Sequence, residues 1–208
     1  MRDHYHGHAA ARYDHRWGDF TRHMLFPIRT LVLDHAPTSA SVLDVGCGTG
    51  VLLTWLAQAH SDLQLWGTDE SPAMLAQAAQ RLGDQAHLLR WDLDQPPPPV
   101  LVAAAPFAHI ICTNVLHYVA NPMQVIAQLG RWLAPGGTVY LADFIQHGWW
   151  WPLFEGLLHL TDRGHRQTLT AEAIVDMVRM TPLTVISTQR INAGGPWRGV
   201  MVVGCRRT

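Results

Sequence analysis

The 208-residue sequence has no surplus of positive charge. The sequence has no lysine, and its 15 arginines stand against 16 acidic residues, which gives a formal net charge of −1 and a pI near 6.9. Proteins that bind nucleic-acid backbones concentrate basic residues to neutralise the phosphates. The composition therefore disfavours a nucleic-acid partner and favours a small-molecule substrate.

Cysteine and long apolar runs are also scarce. The three cysteines, Cys47, Cys112 and Cys205, form an odd number without paired spacing, and no secretion signal precedes them, so a reducing, cytoplasmic location is expected. No apolar run reaches the roughly 20 residues that cross a bilayer, so no membrane span is expected. At 23.2 kDa, the chain has room for one well-filled α/β domain but hardly for two.

The most informative stretch is 43–50, Leu-Asp-Val-Gly-Cys-Gly-Thr-Gly. An apolar run at 41–45 stops at glycines spaced two apart and a helical pattern begins at once, which predicts a strand, a tight turn and a helix start. Glycine adopts positive φ and lets the backbone approach a ligand closely. The free N–H groups at a helix start attract electron-rich groups. The loop is therefore predicted to cradle a cofactor.

The glycine spacing separates two cofactor classes. Gly46, Gly48 and Gly50 form G-x-G-x-G, and Val51 stands where a dinucleotide fingerprint has its third glycine. The next apolar run ends at Asp69, 23 residues after Gly46 (69 − 46), where a parallel strand would present a carboxylate to a ribose. A nicotinamide cofactor is therefore the weaker alternative.

Strand and helix patterns alternate along most of the chain. This alternation predicts a parallel sheet with right-handed crossovers and helices on both faces. The predicted strands are 41–45, 63–68, 87–91, 108–113, 138–142, 183–192 and 198–205. The last two, joined across 193–196, are typical of a hairpin.

Turn and cap residues mark the boundaries between these elements. Ser-Pro at 71–72 predicts the start of a helix that stops at Gly83, and Asn121 predicts the start of another. The four prolines at 96–99 predict a stiff loop, because proline neither continues a helix nor donates to a sheet. Pro-Gly-Gly at 135–137 predicts a turn into the fifth strand.

Two segments depart from the alternation. The first, 1–35, has apolar residues at helical steps, including Tyr13 and Trp17, and predicts a helical cap. The second, 144–168, predicts an inserted lid helix. Its apolar stripe consists of Trp150, Leu153, Phe154, Leu157 and Leu158. The single predicted domain thus divides into cap, core, lid, and C-terminal helix with hairpin, at 1–35, 36–143, 144–168 and 169–208.

Histidine is abundant, with 13 residues, and three of these alternate near the N-terminus. His4, His6 and His8 offer metal-ligand chemistry, but a free tail provides no fixed geometry. Nothing further along the sequence completes a site at ligand spacing. No metal site is therefore predicted.

The glycine stretch together with Asp69 resembles the class I methyltransferases that use S-adenosylmethionine, in particular the small-molecule group with the Leu-Asp-Val-Gly-Cys-Gly-Thr-Gly signature. The resemblance covers about 41–144, half of the chain. It implies a Rossmann-like α/β fold with a seven-stranded, mostly parallel sheet whose last strand is antiparallel. It also implies S-adenosylmethionine as the cofactor.

The resemblance assigns roles to residues at the carboxyl ends of strands, where open α/β sheets form their ligand crevice. Asp69 would accept the ribose hydroxyls, and Asp92 the adenine amino group beside the Leu93 N–H. Asn114 would line the amino-acid end, and Asp44 would order the loop. In the resembled group a residue of the cap often closes over the cofactor. Tyr13 and Trp17 are the candidates here, with ordinary helix packing as the alternative. The other implied cofactor contacts come from the glycine loop and neighbouring strand ends: Gly46, Cys47, Gly48, Glu70, Met74 and Val115.

His117 is the predicted general base. Methyl transfer is an in-line displacement that depends on orientation and the exclusion of water, and a protic acceptor also needs a base. A structural role for His117 is the alternative, and His147, His159 and His165 beside the lid are weaker candidates. The tryptophan-rich lid favours an apolar or aromatic acceptor, with core packing or a homodimer interface as alternatives.

The sequence therefore predicts a cytoplasmic S-adenosylmethionine-dependent methyltransferase that acts on an O, N or C nucleophile of a small, apolar or aromatic molecule. One alternative is a non-catalytic S-adenosylmethionine-binding protein of the same fold. The other is a nicotinamide-dependent oxidoreductase, which Val51 and Asp92 both disfavour.

Overall fold

One seven-stranded sheet organises the molecule. The computed structural model describes residues 8–162, 164–192 and 200–207. Its strands are β1 (Ser41–Val45), β2 (Gln64–Asp69), β3 (Ala86–Arg90), β4 (Phe107–Thr113), β5 (Leu133–Phe144), β6 (Leu183–Ile191) and β7 (Val200–Arg207). Its helices are α1 (His8–His35), α2 (Val51–Ala59), α3 (Pro72–Leu82), α4 (Pro99–Ala104), α5 (Pro122–Arg131), α6 (Trp151–Thr161) and α7 (Ala171–Arg179), with a 3₁₀ turn at Gly83–Gln85.

The strand order confirms the predicted Rossmann-like α/β fold. Across the sheet the order is β3-β2-β1-β4-β5-β7-β6. The pairs from β3 to β5 are parallel, whereas β7 is antiparallel to both β5 and β6. The predicted antiparallel pairing of the last two strands is thus confirmed, and their connection at 193–199 lies outside the described residues.

The order also locates the ligand crevice. The chain adds β2 and β3 on one side of β1 and then returns to place β4 on the other side. Ligands of open α/β sheets bind at the carboxyl ends of the strands beside such a switch point. Val45 of β1 pairs with Cys112 of β4, so the loops that follow these two strands are neighbours.

Two apolar layers cover the sheet, because successive side chains of a strand point to opposite faces. Leu43 belongs to the core cluster on one face, with Leu129 of α5. Val42 belongs to the cluster on the other face, with Leu52 and Leu56 of α2. Each fully buried side chain of this size contributes roughly 1.5–3 kcal/mol relative to exposure. Helices on both faces were predicted, and the two layers confirm them.

The predicted turn at 135–137 is wrong in its position. These residues lie inside β5, which begins at Leu133 rather than after the glycines. The pairing partner of Leu133 is Phe107, whereas Thr138 pairs with His109. The register therefore shifts between the two pairs, and the Pro-Gly-Gly sequence is accommodated as a bulge in a longer strand.

The proline-rich stretch at 96–99 is only partly a loop. Pro99 is the first residue of α4, a position that tolerates proline because its missing N–H would have no partner there. The two predicted helix starts are confirmed, since the side chains of Ser71 and Asn121 each accept a backbone N–H from the first turn.

Within the segment predicted as a cap, residues His8–His35 form the helix α1. Met24, Ile28 and Val32 of α1 are at most 1% exposed and pack in the same cluster as α2. Pro27 lies inside this 28-residue helix. Within the described ranges, no helix combines the length and apolar character needed to cross a membrane.

Candidate active site

A cavity of about 690 Å³ opens at the carboxyl ends of the central strands. Its walls come from α1, from the segments that follow β1, β2, β3 and β4, and from α6. All the predicted site residues except Asp92 line it: Tyr13, Asp44, Gly46, Cys47, Gly48, Asp69, Glu70, Met74, Leu93, Asn114, Val115 and His117. Residues far apart in the sequence thus share one cavity.

Glycine is required at the start of the loop after β1. Gly46 has φ +74°, and an added Cβ would lie 2.2 Å from the Cγ2 atom of Val115. The N–H groups of Gly46 and Cys47 both donate to the carbonyl oxygen of Thr68, at 2.7 and 2.8 Å. The loop is therefore fixed to the end of β2 and approaches the segment after β4 too closely for any side chain.

The carboxylate of Asp69 is oriented by two backbone groups. The N–H of Gly48 donates to Oδ2 at 3.0 Å, and the N–H of Ser71 donates to Oδ1 at 2.9 Å. A carboxylate is an acceptor-only group that takes several hydrogen bonds at once, from hydroxyls as well as from N–H groups. This geometry suits a ribose diol.

Two buried oxygens on the cavity wall lack donors. Within the described chain, Oδ1 of Asp44 and Oδ1 of Asn114 have no hydrogen-bond partner. Asn114 has φ +54°, which asparagine adopts more readily than most residues. Unpaired buried acceptors cost free energy that a ligand with N–H donors would recover. An ammonium group, such as that of S-adenosylmethionine, supplies N–H donors of this kind.

Burial also changes the ionisation of Asp44. The side chain is 2% exposed, and desolvation, followed by repulsion from Asp69, raises the pKa of its carboxyl from 3.8 to about 7. Without a cation in the cavity, the folded chain thus disfavours the charged form. A cationic ligand would favour it.

We expect Asp44→Asn to stabilise the ligand-free protein. Because the pKa of Asp44 is raised in the folded state, its ionisation lowers the free energy of unfolding. This loss is absent below the unfolded pKa of 3.8 and grows as the pH rises to about 7. The full difference between the folded and unfolded pKa values corresponds to up to about 4 kcal/mol of stability. Urea unfolding at pH 8 should therefore show a higher free energy of unfolding for the variant, and the gain should shrink towards pH 4.

Asp62→Asn is the control, because Asp62 is a surface carboxylate that accepts the N–H of Ser39. Its effect should be small at both pH values. A gain for Asp44→Asn that is equal at pH 8 and pH 4 would contradict the proposed ionisation.

Two of the predicted cofactor contacts, Asp92 and Cys47, have surroundings that were not foreseen. Asp92 lies between Trp91 and Leu93, which line the cavity, but its own Oδ1 accepts the N–H of Asp94 at 3.0 Å. The thiol of Cys47 is buried, and desolvation together with its acidic neighbours raises its pKa. Cys47 therefore packs in the loop as a small residue and is not an activated nucleophile.

His117 forms a buried pair with an acid that the sequence analysis missed. Its Nδ1 atom lies 2.7 Å from Oδ1 of Asp143, and the two residues are 3% and 1% exposed. Asp143 also accepts the backbone N–H groups of His117 and Phe144. Since Nδ1 is engaged, the remaining nitrogen, Nε2, is available to a ligand in the cavity that His117 lines.

Asp143 could have been recognised from the sequence. It directly follows the predicted fifth strand, and in a parallel sheet the end of that strand lies beside the end of the fourth, after which His117 comes. The other predicted histidines, His147, His159 and His165, are not among the residues that line the cavity.

The two helices that line the cavity, α1 and α6, contribute many apolar side chains to its wall. The cavity is lined from α1 by Trp17, Phe20, Met24 and Leu25, and from α6 by Phe154, Leu157, Leu158 and Leu160. Leu157 and Leu160 are 51% and 82% exposed. The predicted lid stripe is only partly correct, because Leu153 is 78% exposed whereas Trp151, outside the predicted stripe, is buried.

An ion pair holds α1 over the glycine loop. Asp14 of α1 pairs with Arg81 of α3 and accepts the hydroxyl of Thr49 at 2.8 Å. This contact was not predicted, since no local pattern relates residues 35 or 67 positions apart. It places the cap residues Tyr13 and Trp17 on the cavity wall.

The base of the lid carries a second polar cluster. Glu155 of α6 accepts hydrogen bonds from Thr168, His165 and Trp151. Burial alone would raise the pKa of Glu155, but these hydrogen bonds outweigh it and lower the pKa to about 2. The pKa of His165 is lowered, chiefly by desolvation, although Glu155 opposes this shift. The nearby His159 is half exposed.

Comparison with known sequences finds a family match for the central part of the chain. Residues 43–139 match a family model described as a methyltransferase domain. A trans-aconitate 2-methyltransferase from Methylobacterium nodulans is 34% identical over 104 residues, which are 48% of this chain and 36% of that protein. A ubiquinone biosynthesis O-methyltransferase from Stutzerimonas stutzeri is 31% identical over 137 residues, 62% of this chain and 57% of that protein. The chain thus spans less than two thirds of the length of these relatives.

Comparison with solved structures extends the likeness to the whole chain. A magnesium protoporphyrin IX methyltransferase from Synechocystis PCC 6803, solved with bound SAH, superposes with a TM-score of 0.77 at 17% identity, over 100% of this chain and 98% of that one. At this identity the likeness shows the fold alone. The chain thus matches a methyltransferase domain model over residues 43–139, slightly less than half of its length, and its fold is that of the Synechocystis methyltransferase.

Proposed function

We propose that this chain transfers a methyl group from S-adenosylmethionine to an oxygen or nitrogen atom of a small, apolar or aromatic molecule. This atom must lose a proton in the reaction. One observation carries the proposal: a single cavity extends from Asp69 and the glycine loop to the buried pair of His117 and Asp143. Its first part suits the donor, and its second part suits the acceptor.

The donor half matches a cationic nucleoside. Asp69 would hold the ribose hydroxyls, while Asp44 and Asn114 would accept N–H groups from the amino-acid end. Tyr13, Gly46, Cys47, Gly48, Glu70, Met74, Leu93 and Val115 would complete the walls of this half. When bound, S-adenosylmethionine supplies an electrophilic methyl group on a positively charged sulfur. Asp92 remains a predicted partner of the adenine, although its carboxylate is also engaged in a local turn.

The acceptor half matches an apolar molecule with one ionisable group. Phe154, Leu157 and Trp17 provide apolar contact area and exclude water. Asp143 would fix the tautomer and orientation of His117, so that Nε2 could take a proton from the acceptor. The O-methyltransferases among the relatives support an oxygen nucleophile.

The proposal is tested by calorimetric titration of the full chain with S-adenosylmethionine, its demethylated product and NAD. We expect the first two to bind and NAD not to bind. A panel of phenols and aromatic carboxylic acids is then incubated with protein and donor, and methylated products are identified by mass. Binding of NAD alone would contradict the proposal, and donor binding without methylation of any acceptor would favour the non-catalytic alternative.

A further inference from the structure

Three potential metal ligands meet at the base of the lid helix, outside the cavity wall. Glu155 and His159 lie four residues apart on α6 and therefore share one face of the helix. His165, in the segment that follows α6, packs against this face. One ligand atom from each of the three residues lies within 4.8 Å of the others.

The ligand atoms are close to the spacing of a metal site. Oε1 of Glu155 lies 2.8 Å from Nε2 of His165 and 3.8 Å from Nε2 of His159. Tetrahedral zinc with bonds of about 2.0–2.1 Å places its ligand atoms about 3.3 Å apart. These two pairs thus differ from that spacing by about 0.5 Å each, and the third pair, between His159 and His165, lies within 4.8 Å. The ion would take the place of the hydrogen bond between Glu155 and His165, and the neutral imidazole would carry its proton on Nδ1.

The chemistry of the set favours zinc over harder cations. Two imidazole nitrogens and one carboxylate oxygen form a ligand set that zinc commonly uses, whereas magnesium and calcium prefer oxygen alone. The side chain of His159 is 48% exposed. This exposure gives an ion a route to the site and leaves room for water as a fourth ligand.

The carboxylate of Glu155 is already held in place. Its Oε2 atom accepts the hydroxyl of Thr168 at 2.5 Å and the indole N–H of Trp151 at 2.9 Å, and Oε1 accepts the N–H of Thr168 at 2.8 Å. Such outer contacts orient ligands and strengthen metal binding. The ring of His165 is buried, and its Nδ1 atom has no hydrogen-bond partner among the described residues. The hydrogen bond to Glu155 is made by the other ring nitrogen, Nε2, which is the proposed ligand atom.

We propose that Glu155, His159 and His165 bind one zinc ion, which fastens the lid helix to the segment that follows it. The lid would gain a rigid anchor, because the backbone N–H groups of Arg166 and Gln167 in that segment donate to the carbonyl oxygen of His117. The ion would therefore stabilise the outer wall of the cavity without entering it. The site does not depend on the proposed reaction.

The test measures zinc binding by the full chain after removal of metals with EDTA. His4, His6 and His8 are replaced by alanine in every sample, because three histidines near the N-terminus offer a competing set of ligands. Calorimetric titration with zinc chloride should give one ion per chain, and thermal unfolding should shift to higher temperature when zinc is added.

His159→Ala is the decisive variant, since an exposed side chain can be removed without disturbing the core. We expect it to weaken zinc binding about 100-fold or more, because loss of an outer-shell partner already costs about 10- to 100-fold. The thermal shift should be lost as well. His147→Ala, which removes another histidine near the lid, should change neither quantity. Equal zinc affinity in the His159→Ala variant, or no binding at micromolar zinc, would overturn the proposal.

Discussion

Replacement of His117 by alanine is expected to lower the turnover number about 10²- to 10⁴-fold, the usual contribution of a general base. The affinity for S-adenosylmethionine should change little, because the donor half of the cavity is formed by other residues. Asp143→Asn should also lower turnover, since it removes the charge that orients the imidazole through the 2.7 Å hydrogen bond. The measurement is steady-state methylation of an acceptor identified in the panel, with donor binding measured in parallel.

The control is His109→Gln. His109 is also buried, at 3% exposed, and its ring stacks on that of Tyr140, but it does not line the cavity. Loss of activity through general destabilisation would appear in both histidine variants, whereas loss of a base would appear only at His117. If His117 acts as a base, raising the pH should partly restore the alanine variant, because more of the acceptor is then already deprotonated. Unchanged turnover in a folded His117→Ala protein would assign His117 a structural role.

Replacement of Asp69 by alanine is expected to weaken binding of S-adenosylmethionine by about 10²- to 10⁴-fold. Each hydrogen bond to a charged group contributes about 1.5–3 kcal/mol, and the carboxylate would accept two ribose hydroxyls. The variant also removes the acceptor of the Gly48 and Ser71 N–H groups, which further loosens the loop. Calorimetric titration with the demethylated product tests the same contact without turnover.

Two comparisons separate binding from folding. Asp62→Ala removes a carboxylate that caps the backbone of Ser39 on the surface, so it reports the cost of losing such a cap away from the cavity. Asp69→Asn retains the size of the side chain and one acceptor oxygen, and it should bind the donor with intermediate affinity. Unchanged affinity in a folded Asp69→Ala protein would refute the assignment of Asp69 to the ribose.

Local chemistry explains why much of the fold could be predicted. The caps at Ser71 and Asn121 act within a single helical turn, and the glycine loop follows its strand directly, so neighbouring residues carry enough information. The bulge at 135–137 could not be predicted in the same way. Its register depends on which residues of β4 pair with β5, and that choice is made by the whole sheet.

The same distinction between local and long-range contacts separates the site residues that were predicted from those that were missed. Asp69 and the glycine loop were predicted as cofactor contacts because both follow apolar strands, and the structure places them on one cavity wall. Asp143 was missed because its partner, His117, lies 26 residues away and meets it only through the pairing of two strands. The cluster of Glu155, His159 and His165 was missed because the sequence shows the helical spacing of the first two but not the bend that returns the third.

The two halves of the cavity come from different parts of the chain. Most residues of the donor half lie within 43–139, the stretch that matches the methyltransferase domain family, whereas the apolar walls belong to α1 and α6, which lie on either side of it. The apolar walls can therefore change while the residues proposed to hold the donor stay the same. For protein engineering, exchange of α1 and α6 between homologues offers a route to new acceptors for the proposed reaction without any change in residues 43–139.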